Sequence, residues 1–582
     1  MSTPTSPLYL GLDLSTQQLK AIIVNPDLET IAQAKVDFDQ DLGPRYGIRA
    51  GVIVQGDEVF APVAMWLEAL DLVLTRLGEI DDTVLPRVRA VSGAGQQHGS
   101  VFWNSDAEKM LASLDGRSTL VQQLPPALAH PWSPNWQDQS TQAECDALDE
   151  ALGDRQRLAE VTGSGAHHRF TGAQIMRLRR LLPDMFTASS RISLVSSWLA
   201  SVLRGAIAPL DLADVCGMNL WDVTNQRYSE ELLALVAGGR DAAEELRRKL
   251  GEPLLDGGLP LGPVSPYFVA RYGFSPECQV VPFTGDNPAT MLALPLRPLD
   301  AIVSLGTSTT FLMNTPVYQA DESYHFFHHP TTPGHYMFML CYKNGGLARE
   351  KVRDDLTPDG DEDEDPWRAF NKAVLDTPPL DLPKHDADDD NDARAKLGLY
   401  FLLRETVPNL AAGTWRFTCR PNGTDLQPAS SSSPSSPWPR TTDARIIIES
   451  QALSMRLRSR RLVRSPRQGL PPQPRRIYLV GGGAANPALA RVLGDVLGGS
   501  EGVYRLLDVG GNACALGGAY KALWASERRH GQTFDDLVAA RWTEEAAVVK
   551  VDDGYRPGVY EKYGRVLAAF EEMERRLLAE GS

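Results

Sequence analysis

Two segments half a chain apart repeat one pattern. Leu8-Tyr-Leu-Gly-Leu-Asp13-Leu-Ser-Thr16 and Ala301-Ile-Val-Ser-Leu-Gly306-Thr-Ser-Thr309 each carry an apolar strand into a hydroxyl-rich turn, and a second apolar run follows each turn, Lys20 to Val24 and Thr310 to Met313. Each therefore reads as a strand hairpin. Val59 to Leu77 has helical spacing, Val88 to Val91 reads as a strand, and Gln139 to Leu203 is helix-rich. Strands interleaved with helices predict α/β layers, with functional groups in the turns at strand ends. A chain of 582 residues also exceeds what one hydrophobic core supports. The alternation restarts after Asp286, which divides the sequence near Arg297-Pro298 into domains 1–297 and 298–582.

In the first hairpin, Asp13 is placed to hold a hydrated magnesium ion, with Thr16 and the turn amides facing phosphate oxygens. An ordinary turn using its hydroxyls for local hydrogen bonds gives the same pattern. Gly306-Thr307-Ser308 supplies a second turn open to close approach by a phosphate. Two such turns, one in each half, suit the grip of one triphosphate. Between them Val280-Val-Pro-Phe-Thr-Gly-Asp286-Asn287 leaves one carboxylate at a strand exit, where Asp286 can take a proton from a hydroxyl attacking a γ-phosphate. The competing role is capping a helix that begins near Pro288. Together the three segments point to ATP-dependent phosphoryl transfer.

Other nucleotide signatures are absent. There is no Gly-Lys dipeptide, hence no phosphate loop of the usual kind, and Gly481-Gly-Gly-Ala-Ala-Asn486 has Asn where a dinucleotide fingerprint needs its third glycine. Gly482, Gly483 and Ala484 suit a flat base lying on the backbone, or simply tight strand-to-helix packing. Asn486-Pro487 predicts a helix start. Gln97 and His98 offer an amide and an imidazole to a polyhydroxylated ligand, and Arg169 offers donors for sugar oxygens. His325-Phe-Phe-His-His329 lacks an acidic partner and reads as a strand or loop with incidental histidines.

With 58 basic and 74 acidic residues the net charge is −16, which disfavours nucleic acid and anionic membranes as partners. The acidic runs 359–365 and 386–392 read as solvated loops, and the Ser/Pro-rich stretch 421–442 as a surface insertion. Six cysteines without Cys-x-x-Cys spacing indicate reduced, mostly buried thiols. No signal peptide or apolar span is visible, so a cytoplasmic place is expected.

The order and spacing of the Asp13 hairpin, Gly95-Gln-Gln-His-Gly-Ser-Val-Phe-Trp103, Arg169-Phe-Thr-Gly172, 211–222, Thr284-Gly-Asp-Asn-Pro288, Ser304-Leu-Gly-Thr-Ser308 and Gly481 to Asn486 resemble the FGGY carbohydrate kinase family. The likeness is to its animal and fungal branch acting on D-xylulose and covers nearly the whole chain. It implies two actin-like (ribonuclease H-like) ATPase lobes with an interlobe active-site cleft, and transfer of the γ-phosphate of ATP to the 5-hydroxyl of D-xylulose, a step of pentose catabolism. It makes Asp286 the catalytic base, and His98, Arg169, Asp286 and Asn287, with Gln97 beside them, the sugar contacts in the N-terminal lobe. Thr16, Gly306, Thr307 and Ser308 would meet phosphates, magnesium would lie near Asp13, and Trp367, Gly482, Gly483, Ala484 and Asn486 would hold the adenosine end. Ser15 departs from the commoner bacterial form, which has glycine there. A sibling kinase acting on ribulose, glycerol or gluconate shares the clamp and base. A nucleotide-driven binding or filament protein, or a silent sugar sensor, has no need of Asp286 together with His98 and Arg169.

Overall fold

A computed structural model describes residues 6–356, 365–383, 393–429, 438–507 and 512–580. Except for Asp365, the two acidic runs lie outside the described residues, as does the centre of the Ser/Pro-rich stretch. The chain forms two compact units: Met1–Leu296, Pro316–Met337 and Asn512–Thr543 in the first, Arg297–Thr315, Phe338–Gly511 and Glu544–Ser582 in the second. The path changes unit at Leu296–Arg297, and two later segments return to the first unit, so a single cut at 297 does not describe it.

The first unit is built on a mixed sheet. Strand β1 (Leu8–Leu14) is buried along its whole length, as expected for a central strand covered on both faces. It pairs antiparallel with β2 (Gln18–Val24), and β2 in turn with β3 (Thr30–Asp37). On its other edge β1 runs parallel to β4 (Val88–Gly95), in a register that sets Asp13 beside Ala94. β4 pairs in parallel with β6 (Gln279–Val280), which pairs antiparallel with the edge strand β5 (Gly262–Pro263), and the end of β4 also pairs with β7 (Thr284–Gly285). The carboxyl ends of β1, β4 and β7 therefore share one edge of the sheet, where α/β folds place their ligand groups.

Helix α1 (Val63–Ile80) buries Leu67, Leu70, Leu74 and Leu77 in this unit's core. The expected helix over 59–77 starts late, because Glu58–Pro62 is a strand in which Phe60 pairs with Pro134. Val59 and Ala61 satisfy both periodicities, and Pro62 disfavours helical geometry in the residue before it, which delays the helix. The helix-rich stretch likewise contains a strand, Ser189–Leu194, paired with Ser100–Asn104 between helices α2 (Thr171–Leu181) and α3 (Val195–Arg204). Helix α4 (Asp286–Met291) follows β7 directly.

Helix α5 (Ala513–Glu527) packs on β1 and β4 through small residues. A Cβ on Gly11 would collide with the Ala515 carbonyl, and one on Gly518 would come within 2.6 Å of the Gly93 Cα.

The second unit repeats the hairpin. Ala301–Leu305 pairs antiparallel with Thr309–Thr315 and parallel with Arg476–Val480, the relation β1 bears to β2 and β4. Gly502–Leu506 and Val548–Asp552 extend that sheet. A long helix, Arg440–Ser459, begins at the end of the Ser/Pro-rich stretch. Among the described residues no helix is long and apolar enough to cross a membrane.

Candidate active site

Asp286 opens α4 immediately after β7, so its carboxylate stands at the strand end. Gly285, not Asp286, occupies the N-cap position. Asp286 Oδ1 accepts from the Asn287 backbone N–H at 2.8 Å and from Asn287 Nδ2 at 3.1 Å. Asn287 Nδ2 also donates to Gln97 Oε1 at 2.9 Å, which ties the Asp286–Asn287 pair to the loop after β4. Gly285 is the residue that permits this closeness, because a Cβ there would lie 2.5 Å from Gln97 Cγ and 2.7 Å from Asp214 Oδ1.

Burial, and then the neighbouring charge of Asp13, push the Asp286 carboxyl up to about 7, against the pull of backbone N–H groups. Asp214 is also pushed up to about 7, by burial first and then by the charges of Asp211 and Asp286, although Ser196 Oγ donates to its Oδ2 at 2.5 Å. Asp211 accepts from Thr284 Oγ1 at 2.5 Å and lies 3.5 Å from the fully buried Lys521 Nζ of α5. Asp13 is buried, and burial outweighs Lys20 at 3.9 Å and Ser15 Oγ at 2.6 Å to raise its pKa. Ser15 is therefore tied to Asp13 Oδ2 by the hydroxyl that glycine would lack, while the buried Asp13 Oδ1 has no hydrogen-bond partner. One free oxygen fits a magnesium ion that keeps most of its ligands from water and phosphate.

Next to Gln97 in the chain, His98 belongs to a ring cluster. His98 sits at φ +74°, a conformation uncommon outside glycine. Its Nδ1 lies 3.1 Å from the Gly217 carbonyl, so Nδ1 carries the proton and donates; burial and Arg169 hold the ring neutral. Nε2 is thereby the acceptor nitrogen. The His98 ring lies on Phe170 at 4.5 Å between centroids, and the Arg169 guanidinium stands 5.8 Å from the same ring. Arg169 is buried, and its Nε has no hydrogen-bond partner.

Thr16 lies at the tip of the first hairpin, receiving Trp136 Nε1 at 2.8 Å and donating to Gln96 Oε1 at 3.3 Å. The hairpin thus docks on the loop that carries Gln97 and His98. Thiols fill cores as expected except Cys514, which is half-buried at the start of α5 with Sγ 3.2 Å from Thr290 Oγ1 and 3.4 Å from the Asp286 carbonyl.

The second unit gathers the remaining candidates at the carboxyl ends of two adjacent parallel strands. Gly306, Thr307 and Ser308 form the turn after Ala301–Leu305, held by Gly346 N–H to the Gly306 carbonyl at 3.0 Å. Gly481 to Asn486 follow Arg476–Val480, and Gly481, at φ +85°, packs against Leu305 where a Cβ would not fit. A Cβ on Gly482 meets nothing within 4 Å. Asn486 caps helix Pro487–Leu497, as its sequence predicts, and donates to Asn371 Oδ1 at 2.8 Å. Asn371 N–H bonds the Trp367 carbonyl, so Trp367 and Asn486 are brought to neighbouring positions. The Arg353 guanidinium stands 4.7 Å from the Trp367 ring.

Residues 134–293 match the N-terminal domain, and residues 301–526 the C-terminal domain, of the FGGY family of carbohydrate kinases. The probable D-xylulose kinase A of Neosartorya fischeri is 55% identical over 580 residues, covering 99% of both chains. The chain belongs to the FGGY family of carbohydrate kinases. D-xylulose kinase A of Aspergillus niger is likewise 55% identical, over 98% of both chains. A solved xylulose kinase from Rhodospirillum rubrum superposes on this FGGY chain with a TM-score of 0.74 at 18% identity, covering 98% of this chain and 99% of that one. The FGGY kinases share the α/β fold of two actin-like ATPase lobes, and this chain has it.

The loop residues at the strand ends were legible in the sequence, whereas the buried groups packed against them were not. Asp214 lies within 211–222, which entered only as part of the family likeness, and His325 in a segment read as a strand or loop with incidental histidines. Both are buried polar side chains, and burial is set by tertiary contacts that the sequence does not spell out.

Proposed function

We propose that the protein transfers the γ-phosphate of ATP to the 5-hydroxyl of D-xylulose, giving D-xylulose 5-phosphate and ADP. The observation that carries the substrate is identity of 55% over 98–99% of both chains with relatives named for D-xylulose. The first unit supplies the sugar contacts, the base, and Thr16 and Asp13 toward the phosphates; the second supplies the remaining nucleotide contacts.

Asp286 takes the proton of the attacking hydroxyl. Its raised pKa suits proton uptake near neutrality, and Asn287 and Gln97 hold it in place. In a loose transfer transition state the attacking oxygen forms little bond early, so orientation matters more than basicity. His98 Nε2 accepts from a sugar hydroxyl, Arg169 donates to a sugar oxygen, and Asn287 and Gln97 meet the end of the sugar nearest the base. Thr16 and the turn Gly306, Thr307, Ser308 contact phosphates. Asp13 Oδ1 would hold magnesium, which neutralises phosphate charge. Gly482, Gly483 and Ala484 receive the base beside Trp367, and Asn486 fixes the shape of that loop by its cap. A cytoplasmic place fits a substrate and nucleotide of this kind.

The test is ADP release with purified protein, ATP and magnesium, comparing D-xylulose with L-ribulose, glycerol and gluconate. D-xylulose is expected to stimulate release most. Asp286→Asn is expected to fold and bind ATP while turnover falls about 10²–10⁴-fold. Preferred turnover of another polyol would move the specificity, and near-normal turnover of Asp286→Asn would remove Asp286 from the mechanism.

A further inference from the structure

His325 lies in the strand His325–His328, 156 residues from Arg169 in sequence, yet it closes the ring cluster around Arg169. Its Nε2 is 3.0 Å from Arg169 Nη2, and its Nδ1 is 2.8 Å from Ser164 Oγ. A guanidinium only donates, so Nε2 must be the unprotonated nitrogen and Nδ1 must carry the hydrogen, donated to Ser164. Burial and the charge of Arg169 keep the ring neutral, which this arrangement requires. The His167 ring meets His325 edge-on at 4.7 Å, and Phe170 lies 5.6 Å from it. No ion pair between Arg169 and a carboxylate occurs among the described residues, so a neutral imidazole is what fixes this buried cation.

We propose that His325 is a positioning residue of the sugar site: by accepting from Arg169 Nη2 while Ser164 fixes its tautomer, it holds the guanidinium so that the Arg169 Nε–H, buried and without a partner, is reserved for a sugar oxygen. A carboxylate in this place would bind Arg169 more strongly but would neutralise it and compete with the sugar for its donors. An imidazole acceptor keeps the full positive charge available to the ligand. The inference rests on the proposed assignment of Arg169 to the sugar.

The test compares His325→Leu with His325→Gln in steady-state kinetics, varying D-xylulose and ATP separately. His325→Leu, which fills the space without an acceptor, is expected to raise KM for the sugar at least tenfold, with kcat changed less than threefold and KM for ATP unchanged. His325→Gln, whose carbonyl can accept from Arg169, is expected to recover most of the sugar KM. Equal impairment in the two variants, or equal effects on sugar and ATP, would assign His325 a merely structural role and overturn the proposal, as would an unchanged sugar KM in His325→Leu. Should His325→Leu fail to fold, Ser164→Ala removes only the tautomer-fixing oxygen and is expected to raise sugar KM about threefold; no change would overturn the proposal. If the wild type turns over another polyol in place of D-xylulose, the substrate reading fails, and the same comparison on that polyol still decides His325.

Discussion

At the scale of single residues, the proposed base shares its surroundings with a second acid. Asp286 and Asp214 are each pushed up to about 7, and the charge of Asp286 contributes to the shift of Asp214. Charge repulsion is mutual, so ionisation of Asp214 also disfavours ionisation of Asp286, and the pH profile belongs to the pair. The active form of the base is the carboxylate, so kcat/KM for the sugar is expected to fall about tenfold per pH unit below roughly pH 7. In Asp214→Asn the side-chain oxygen still accepts from Ser196 while the charge is gone. Removing a negative neighbour lowers the pKa of the remaining carboxyl, so the acid limb should move to lower pH with the plateau little changed. A pH–rate profile of the two proteins decides this; a limb that stays in place would mean that burial and Asp13 alone set the base.

At the scale of elements, the site depends on how closely α5 approaches the sheet. Gly11 on β1, Gly93 on β4 and Gly518 on α5 leave no space for a methyl group between helix and strands, and Gly517 meets the Ala289 carbonyl of α4 equally closely. This contact fixes the level of Asp13 on β1, of Asp286 at the start of α4 and of Cys514 at the start of α5. Gly518→Val must push α5 off β4, since the obstructing atoms are backbone and cannot rotate away. Overpacking of this kind costs about 1–3 kcal/mol or more, so the first urea unfolding transition should move to lower concentration and kcat should fall with it. A stable, fully active Gly518→Val would show that α5 is free to shift. The same elements explain what the sequence made legible. The hairpins were readable because continuous apolar runs end in hydroxyl turns, and Asn486-Pro487 because capping is local. The strand before α1 was not, since Val59 and Ala61 fit both periods and only its pairing with 53–55 and 132–134 selects one. Asp214 and His325 were hidden for a related reason: their partners, Ser196 and Arg169, come from other elements and carry no sequence spacing that announces them.

At the scale of the whole molecule, the proposed function puts the sugar contacts in one unit and the contacts to the nucleotide base in the other, so that the two should be separable by substitution. The first unit contains Asp13, Thr16, Gln97, His98, Arg169, Asp286 and Asn287, and the second contains Gly306 to Ser308, Trp367 and Gly481 to Asn486. Gly482 is the position at which the second set can be altered without disturbing the fold. Its φ is not in the left-handed region, and a Cβ there meets no protein atom within 4 Å, in contrast to Gly481, which packs on the Leu305 backbone. Gly482→Val should therefore leave the thermal transition unchanged while occupying space proposed for the nucleotide base. The expected result is a rise of about tenfold or more in KM for ATP, equivalent to about 1.4 kcal/mol of lost binding, with KM for the sugar unchanged. His325→Leu is expected to give the opposite pattern, and the double variant should combine both defects additively, because sites in separate units with no shared partner do not couple. Steady-state titration of each substrate against the two single variants and the double variant reads this directly. A sugar defect in Gly482→Val matching its ATP defect would mean that the loop after Arg476–Val480 shapes both sites, and the division of labour between the units would have to be abandoned.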